Sequence, residues 1–450
     1  MKYISILAVV MSFSSVAMAQ KTLSLEQVKQ LAVEHNINMR SAQNAIQQAE
    51  EQKKEAFTNY FPQVSAMGMG FHSNRDMFKT NINTSDIISK ETLQSLSKVL
   101  PPEMLSQIPS NFEMSMLNSG VIGAVQAVQP VFMGGQIVNG NKLAKVGIEA
   151  SQLQGQSSKN QVLLTAEQYY WQIVTLKEKQ KTLDAVSEML KVLEKDATAA
   201  VKAGVAMHND LLQVQLKENE IESNKIKLQN ALNLSQLVLA QYIGLEGEDI
   251  KVSETVESKE MPAYPLSLKT DHESAIRNTV EYQLLQKNVE AKSLERKLEI
   301  GKNLPSIGVG AAYNYVDMLD SRNNFGMVFA TVKIPISSWW GGSHAIMRKK
   351  LAEQNARDQL ADNMQLLKIR MQKNWNDVDD AYKQLELAKK GIEQSEENLR
   401  LNTDFYHAGT VKMSDLLDAQ QQYQQTHDRY VEAYSQLQTK MLEYQQSIGQ

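Results

Sequence analysis

From Ser343 to His407 the chain runs without a proline and with a single glycine, Gly391. As one helix this stretch would reach on the order of 95 Å at 1.5 Å per residue. No compact globular core is that long, so the fold must be organised around extended helices. Met364, Met371, Val378, Leu385, Ile392, Leu399 and Tyr406 recur along it at heptad spacing. A sustained heptad keeps one apolar seam toward a partner helix and predicts left-handed supercoiling. Leu416, Tyr423, Tyr430, Leu437 and Tyr444 repeat the pattern in the last segment. Val162, Tyr169, Leu176, Leu183 and Leu190 repeat it in an earlier one, roughly Gln136 to Lys202. Seam methionines such as Met364 and Met371 read as core rather than as metal ligands.

The two long segments belong to two copies of one unit. LSLEQVKQLAVEHNINMR from Leu23 aligns without gaps with LSLKTDHESAIRNTVEYQ from Leu266, and the same register carries Pro62 onto Pro305. VQAVQPVFMGG, with Pro130, matches ATVKIPISSWWGG, with Pro335; AGVAMHNDLLQVQ from Ala203 matches AGTVKMSDLLDAQ from Ala408. Landmarks recurring in one order predict an internal duplication. The first repeat is expected over 20–243 and the second over 266–450. The acidic, proline-bearing connector 244–265 is expected to lie against the helical body. Each repeat reads helix, strand, strand, long helix, tight turn, helix. Both long helices stop at Ala-Gly, where Gly204 and Gly409 can take the left-handed cap conformation.

Ser306 to Val316 alternates, with Ile307, Val309, Ala311, Tyr313 and Tyr315 on one face and Ser306, Gly308, Gly310, Ala312 and Asn314 on the other. An apolar outer face with a small or polar inner face is the pattern of a membrane barrel strand. Phe325–Ile334, Gln63–Phe71 and Val121–Gln129 are the companion strands; they alternate less clearly, would suit soluble strands if taken alone, and are supported by the repeat. Trp339 and Trp340 follow the last strand, where an aromatic belt would meet headgroups, or where the strand simply packs on the next helix. The first strand pair is separated by a long insert, 72–119, in which SKETLQSLSKVLPPEMLSQI suits a short amphipathic helix. The matching loop of the second repeat is only 317–324.

Four strands cannot close a membrane barrel, and open edges are not tolerated in lipid. Two chains would give eight strands and a filled interior; three would give twelve and a lumen. The expected fold class is therefore mainly α with a small β membrane part. Duplicated antiparallel coiled-coil helices and four strands per chain would form a 12-stranded barrel and an α-helical barrel as a trimer.

The remaining composition excludes more than it adds. MKYISILAVVMSFSSVAMAQ reads as a signal peptide, with Lys2, an apolar core and cleavage after Ala17-Met18-Ala19, so residues 1–19 are expected to be removed. No later run is apolar enough for a membrane helix. With no cysteine, disulfides, thiolate metal sites and a lipidated N-terminal cysteine are excluded. A net charge of −4 with interspersed signs gives no nucleic-acid surface. No Ser-His-Asp, paired-carboxylate or phosphate-loop constellation appears, so no enzyme and no cofactor are expected. Met67, Met69, Met77 and His72 form a set of soft ligands that would suit copper or silver, against a plainer packing reading.

The order of elements, the paired prolines and the two AG…DLL hairpins resemble the TolC family of outer-membrane channels. The most specific piece is FYHAGTVKMSDLLDAQQQY from Phe405, similar to the family's Y-x-x-G-x-x-x-x-x-D-L-L-x-A-Q signature. The resemblance covers essentially the whole mature chain. It implies a homotrimeric channel-tunnel, its barrel in outer-membrane lipid and its coiled coils tapering to a closed periplasmic mouth. A periplasmic adaptor and an inner-membrane transporter would dock there, in efflux or type I secretion. By the same resemblance Asp415 and Asp418 ring the aperture, and Tyr406 and Asp210 are gate contacts. Gly204, Val205, Gly409 and Thr410 form the hairpin tips that adaptors meet. The chain departs from the family where an arginine is usual, carrying Val411 with Lys412 beside it.

Plainer readings stand beside these. Asp210 and Asp415 sit at helix starts, where first-turn acids favour the macrodipole; Asp418 lies a turn further in. Tyr406 continues the heptad. The competing class is a structural periplasmic coiled coil or an adaptor, which the duplicated, proline-flanked strand pairs disfavour.

Overall fold

The computed structural model describes residues 21–256, 261–318 and 321–450; the signal-peptide segment 1–19 lies outside them. In chain order, β1 (Lys21–Leu23) leads into α1 (Leu25–His35) and α2 (Ile37–Thr58). There follow β2 (Gln63–His72), β3 (Phe78–Asn83), α3 (Thr84–Ile87), α4 (Lys90–Leu96), α5 (Pro102–Leu105), β4 (Asn111–Met116) and β5 (Ser119–Met133). Helices α6 (Gln136–Lys202) and α7 (His208–Tyr242) close the first half. The second half holds β6 (Ile250–Val252), α8 (His272–Ala275), α9 (Val280–Lys302), β7 (Ser306–Met318), β8 (Ser321–Lys333), α10 (Ser338–His407) and α11 (Met413–Ser447). Two compact units divide the chain, and each draws on both halves.

The helical unit comprises the chain up to Glu50, Val146–Glu290 and Gln354–Gln450. Heptad positions Met371, Val378, Leu385, Ile392 and Leu399 of α10 are buried, as are Leu416, Tyr430, Leu437 and Tyr444 of α11. The seam is therefore the core. Its composition repeats at matched positions. Val162, Tyr170, Ile173, Leu232, Leu239 and Ile243 form one cluster, and Leu367, Trp375, Val378, Leu437, Tyr444 and Ile448 form its counterpart.

Each half breaks its first helix at the same aligned place. Asn36 and Thr279 are extended, with ψ 137° and 142°. Both are enclosed, at 6% and 0% exposure. Asn36 Oδ1 accepts from Asn38 N at 2.9 Å, and Thr279 Oγ1 accepts from Tyr282 N at 3.3 Å, so each starts the helix that follows. Neither break involves proline or glycine. The closing residues of each half pack on it: a Cβ on Gly244 would lie 2.5 Å from His35 Cβ, and one on Gly449 would lie 2.8 Å from Asn278 O.

The connector contributes a strand, β6, that pairs in parallel with β1, Lys21 opposite Ile250. Tyr170 Oη donates to Leu23 O at 3.3 Å and Lys177 Nζ to Val252 O at 3.1 Å, tying this pair to α6. Further along, Tyr264 packs edge-on against Trp375 and Tyr382 of α10 and donates to Asp379 at 2.9 Å.

The second unit comprises Glu51–Lys145 and Ala291–Glu353. Its sheet has the order β2-β5-β7-β8, antiparallel throughout. Because registered partners share a face, Val64, Ala66, Val125, Ala127, Val309, Ala311, Tyr313 and Val328 lie together on one side. Ser65, Gln126, Ala312, Asn314 and Thr331 lie on the other, with Met67, Met69, Phe325 and Met327. Strands β2 and β8 are its edges.

Three expectations are corrected here. Pairing extends to Met318 opposite Ser321, so the second hairpin is much tighter than the loop expected at 317–324. Arg322 donates to Asp317 Oδ2 at 3.1 and 3.2 Å, and this cross-strand ion pair carries the ladder outward. The insert 72–119 holds a β3–β4 hairpin as well as helices; its amphipathic segment divides into α4 and α5 around Pro101 and Pro102, because proline cannot continue a helix. Including β1–β6, the described residues thus hold two strand pairs beyond the four-stranded sheet.

Candidate functional site

The two hairpin turns of the helical unit are built alike. Gly204 N donates to Val201 O and Val205 N to Ala200 O, both at 3.0 Å; Gly409 N and Thr410 N do the same to Tyr406 O and Phe405 O at 2.9 Å. These paired bonds close the ends of α6 and α10 in Schellman form. They require a left-handed residue, and φ is +72° at Gly204 and +73° at Gly409. Nothing lies within 4 Å of where a Cβ would stand at either glycine. Val205 and Thr410 are exposed beside them.

The returning helices begin with no Ser or Thr cap, since Met207 and Lys412 occupy the cap positions. The aspartates compensate. Asp210 Oδ2 accepts from Met207 N and Asp415 Oδ2 from Lys412 N, both at 3.2 Å. The plainer helix-start reading of both residues is thus realised within the single chain. Asp418 is exposed one turn on. Val411 is half-buried and the Lys412 side chain is exposed.

Beneath the turns, Leu190, Leu193, Ala197, Val214, Leu399, Met413 and Leu416 form the core that fixes α6, α7, α10 and α11 together. Tyr406 packs against its edge. Burial first, then the nearby carboxylates of Asp210 and Asp196, push the Tyr406 phenol above its ordinary range. Tyr406 and Asp210, paired by the sequence reading, are therefore brought within electrostatic reach. Among the described residues no hydrogen bond joins them. Asp196 is a further neighbour that sequence did not single out, being one exposed helix acid among many.

The soft-ligand set is divided by the sheet. Met67 and Met69 share a face of β2, His72 falls on the opposite face, and Met77 lies beyond the strand. Among the described residues no three His, Cys, Asp or Glu side chains cluster as a metal site. Trp339 Nε1 donates to Asn303 O at 2.8 Å, fixing the start of α10, while Trp340 is exposed.

No curated protein matches the chain in sequence. Solved structures match nearly all of it. The outer membrane protein VceC of Vibrio cholerae is 13% identical with a TM-score of 0.72, over 94% of this chain and 96% of that one. The CmeC outer membrane channel of Campylobacter jejuni is 12% identical with a TM-score of 0.71, over 94% and 85%. The MtrE outer membrane channel of Neisseria gonorrhoeae, in its open state, is 13% identical with a TM-score of 0.69, over 94% and 88%. The chain shares the fold of these proteins, and its residues 275–450 match the outer membrane efflux protein family.

Proposed function

We propose that this chain is the outer-membrane duct of a tripartite efflux or type I secretion system, a passive conduit and not an enzyme. One observation carries the reading. The four-stranded sheet is apolar along one face, and among the described residues both its edges are unpaired. Lipid does not tolerate unpaired backbone, so copies of the chain must close the sheet, β2 of one against β8 of the next. Three copies give a barrel with a lumen. The match of residues 275–450 to the outer membrane efflux protein family and the fold shared with outer-membrane channels support the same conclusion. A structural coiled coil or a periplasmic adaptor would have no use for such a sheet.

In this reading the repeats 20–243 and 266–450 each supply one strand pair and one helical hairpin. The turns at Gly204-Val205 and Gly409-Thr410 face the periplasm and meet an adaptor, behind which stands an inner-membrane transporter. Asp415 and Asp418 converge on the three-fold axis. Up to six carboxylates then line one aperture, and a ring of like charge in a low-dielectric wall attracts cations. Tyr406 and Asp210 hold the aperture closed, with Asp196 beside them.

Planar-bilayer recording of the Asp415→Asn/Asp418→Asn protein tests the ring. Cation selectivity and block by trivalent cations should both fall. Unchanged selectivity and block would leave Asp415 as a helix-start residue and Asp418 as an ordinary surface acid.

A further inference from the structure

The helical unit contains a cavity of about 220 Å³ between α6, α10 and α11. Its inner walls are apolar, since Leu190, Leu193 and Leu416 line it and belong to the buried core beneath the turns. Val192 and Asp196 line it as well, both exposed to solvent, and so mark its open side. They stand four residues apart on α6 and therefore share one face of that helix. The mouth is electronegative. Beyond burial, the groups that hold the Tyr406 phenol above its ordinary range are the Asp210 and Asp196 carboxylates. His407, the next residue along, lines the cavity, and neither Lys nor Arg does. Apolar walls thus meet an accessible carboxylate, with no cationic side chain of the chain's own in the cavity.

We propose that this cavity binds a small aromatic amine, its ring against Leu190, Leu193 and Leu416 and its ammonium paired with Asp196 at the mouth. Pockets of this kind take ligands through an apolar lining and a few placed polar groups. An ammonium brings both charge and donors to the carboxylate. A neutral compound of the same shape fills the walls but leaves Asp196 to water. A ligand carboxylate would face the like charges of Asp196 and Asp210. The volume suits one ring with a short arm, and the walls favour that ring over a sugar or a phosphate. Asp196 is open to solvent, so the ammonium reaches it without unpacking the core. The site lies within one chain and does not depend on the conduction reading.

The test uses the full-length protein in phosphatidylcholine nanodiscs, with benzylamine as probe and benzyl alcohol as its uncharged analogue. Ligand-observed NMR is recorded on the unchanged protein and on Val192→Trp in the same nanodiscs, so that the difference removes partitioning into lipid. Val192 is 56% exposed, and the larger side chain should fill the open side without disturbing the core. Benzylamine should bind the unchanged protein and not Val192→Trp. Benzyl alcohol should bind about tenfold more weakly, the size expected for losing one charge-assisted hydrogen bond. Asp196→Asn should bring the two ligands to equal strength. Benzylamine signals that are the same with and without Val192→Trp would overturn the proposal. So would equal binding of the alcohol by the unchanged protein, or a preference for the amine that survives Asp196→Asn.

Discussion

Replacing Asn36 by Ala should be among the most damaging single changes in the helical unit, although Asn36 lies on neither the sheet nor the tips. The side chain makes two bonds from a position 6% exposed. Its Oδ1 accepts from Asn38 N at 2.9 Å, and its Nδ2 donates to Tyr242 O at 3.2 Å. Loss of the first removes a helix start, worth about 1 kcal/mol. Loss of the second removes a bond of about 1 kcal/mol and deprives a half-buried carbonyl of its donor, about 1–2 kcal/mol more. The sum is about 3–4 kcal/mol after partial relaxation. Thr279→Ala at the aligned break loses the bond to Tyr282 N and the local bond to Ile276 O, but no contact with the end of a distant helix. It should cost only about 1–2 kcal/mol. Asn36→Asp is the sharper variant. It keeps the acceptor for Asn38 N and sets a carboxylate against the Tyr242 carbonyl, so it should be as harmful as Ala. Urea midpoints followed by far-UV circular dichroism rank the three. A harmless Asn36→Asp, or a Thr279→Ala as damaging as Asn36→Ala, would refute this account of the breaks.

Gly409→Val puts a β-branched residue at φ +73° with open space around it, so its cost is backbone strain alone, about 1–2 kcal/mol. Outer-membrane fractionation should find normal assembly while dye efflux fails; normal efflux would contradict the tip assignment. The Asp428 carboxyl is pushed up from 3.8 to about 6, by burial first, with Lys179 opposing and Glu432 adding to the rise. A raised acid favours the folded state while protonated, so its contribution is lost as pH rises from about 4 through about 6. Asp428→Asn should therefore raise the melting temperature at neutral pH and leave it unchanged below that window; an equal effect at both pH values would contradict the assignment.

The heptad seam, the aligned sheet strands and the glycine turns were legible because each follows from a period or from an obligatory glycine. The helix breaks were not. Asn36 and Thr279 differ in chemistry, and each interrupts a helix through one side-chain bond that no composition signal marks. The β1–β6 pair escaped because strands of three residues carry no period, and their partner lies far along the chain. The β7–β8 ladder outran its apolar alternation because an ion pair, Asp317 with Arg322, extends it. At the tips, sequence gave Asp210 and Asp415 two meanings, and only geometry shows both bonded to their own helix starts. Asp196 depends on neighbours that converge only in the fold.

The central claim is that three copies close the sheet, β2 of each against β8 of the next. Gly68 on β2 and Gly326 on β8 lie on the apolar face of the two edges, and a side-chain carbon at either would meet nothing closer than 3.9 Å. The chain has no cysteine of its own. Gly68→Cys/Gly326→Cys protein in outer-membrane vesicles, treated with a flexible bis-maleimide, should give a denaturing-gel ladder of dimer and trimer and nothing larger. Each single variant should give no trimer. A product that stays monomeric, or a ladder that continues beyond the trimer, would contradict the claim.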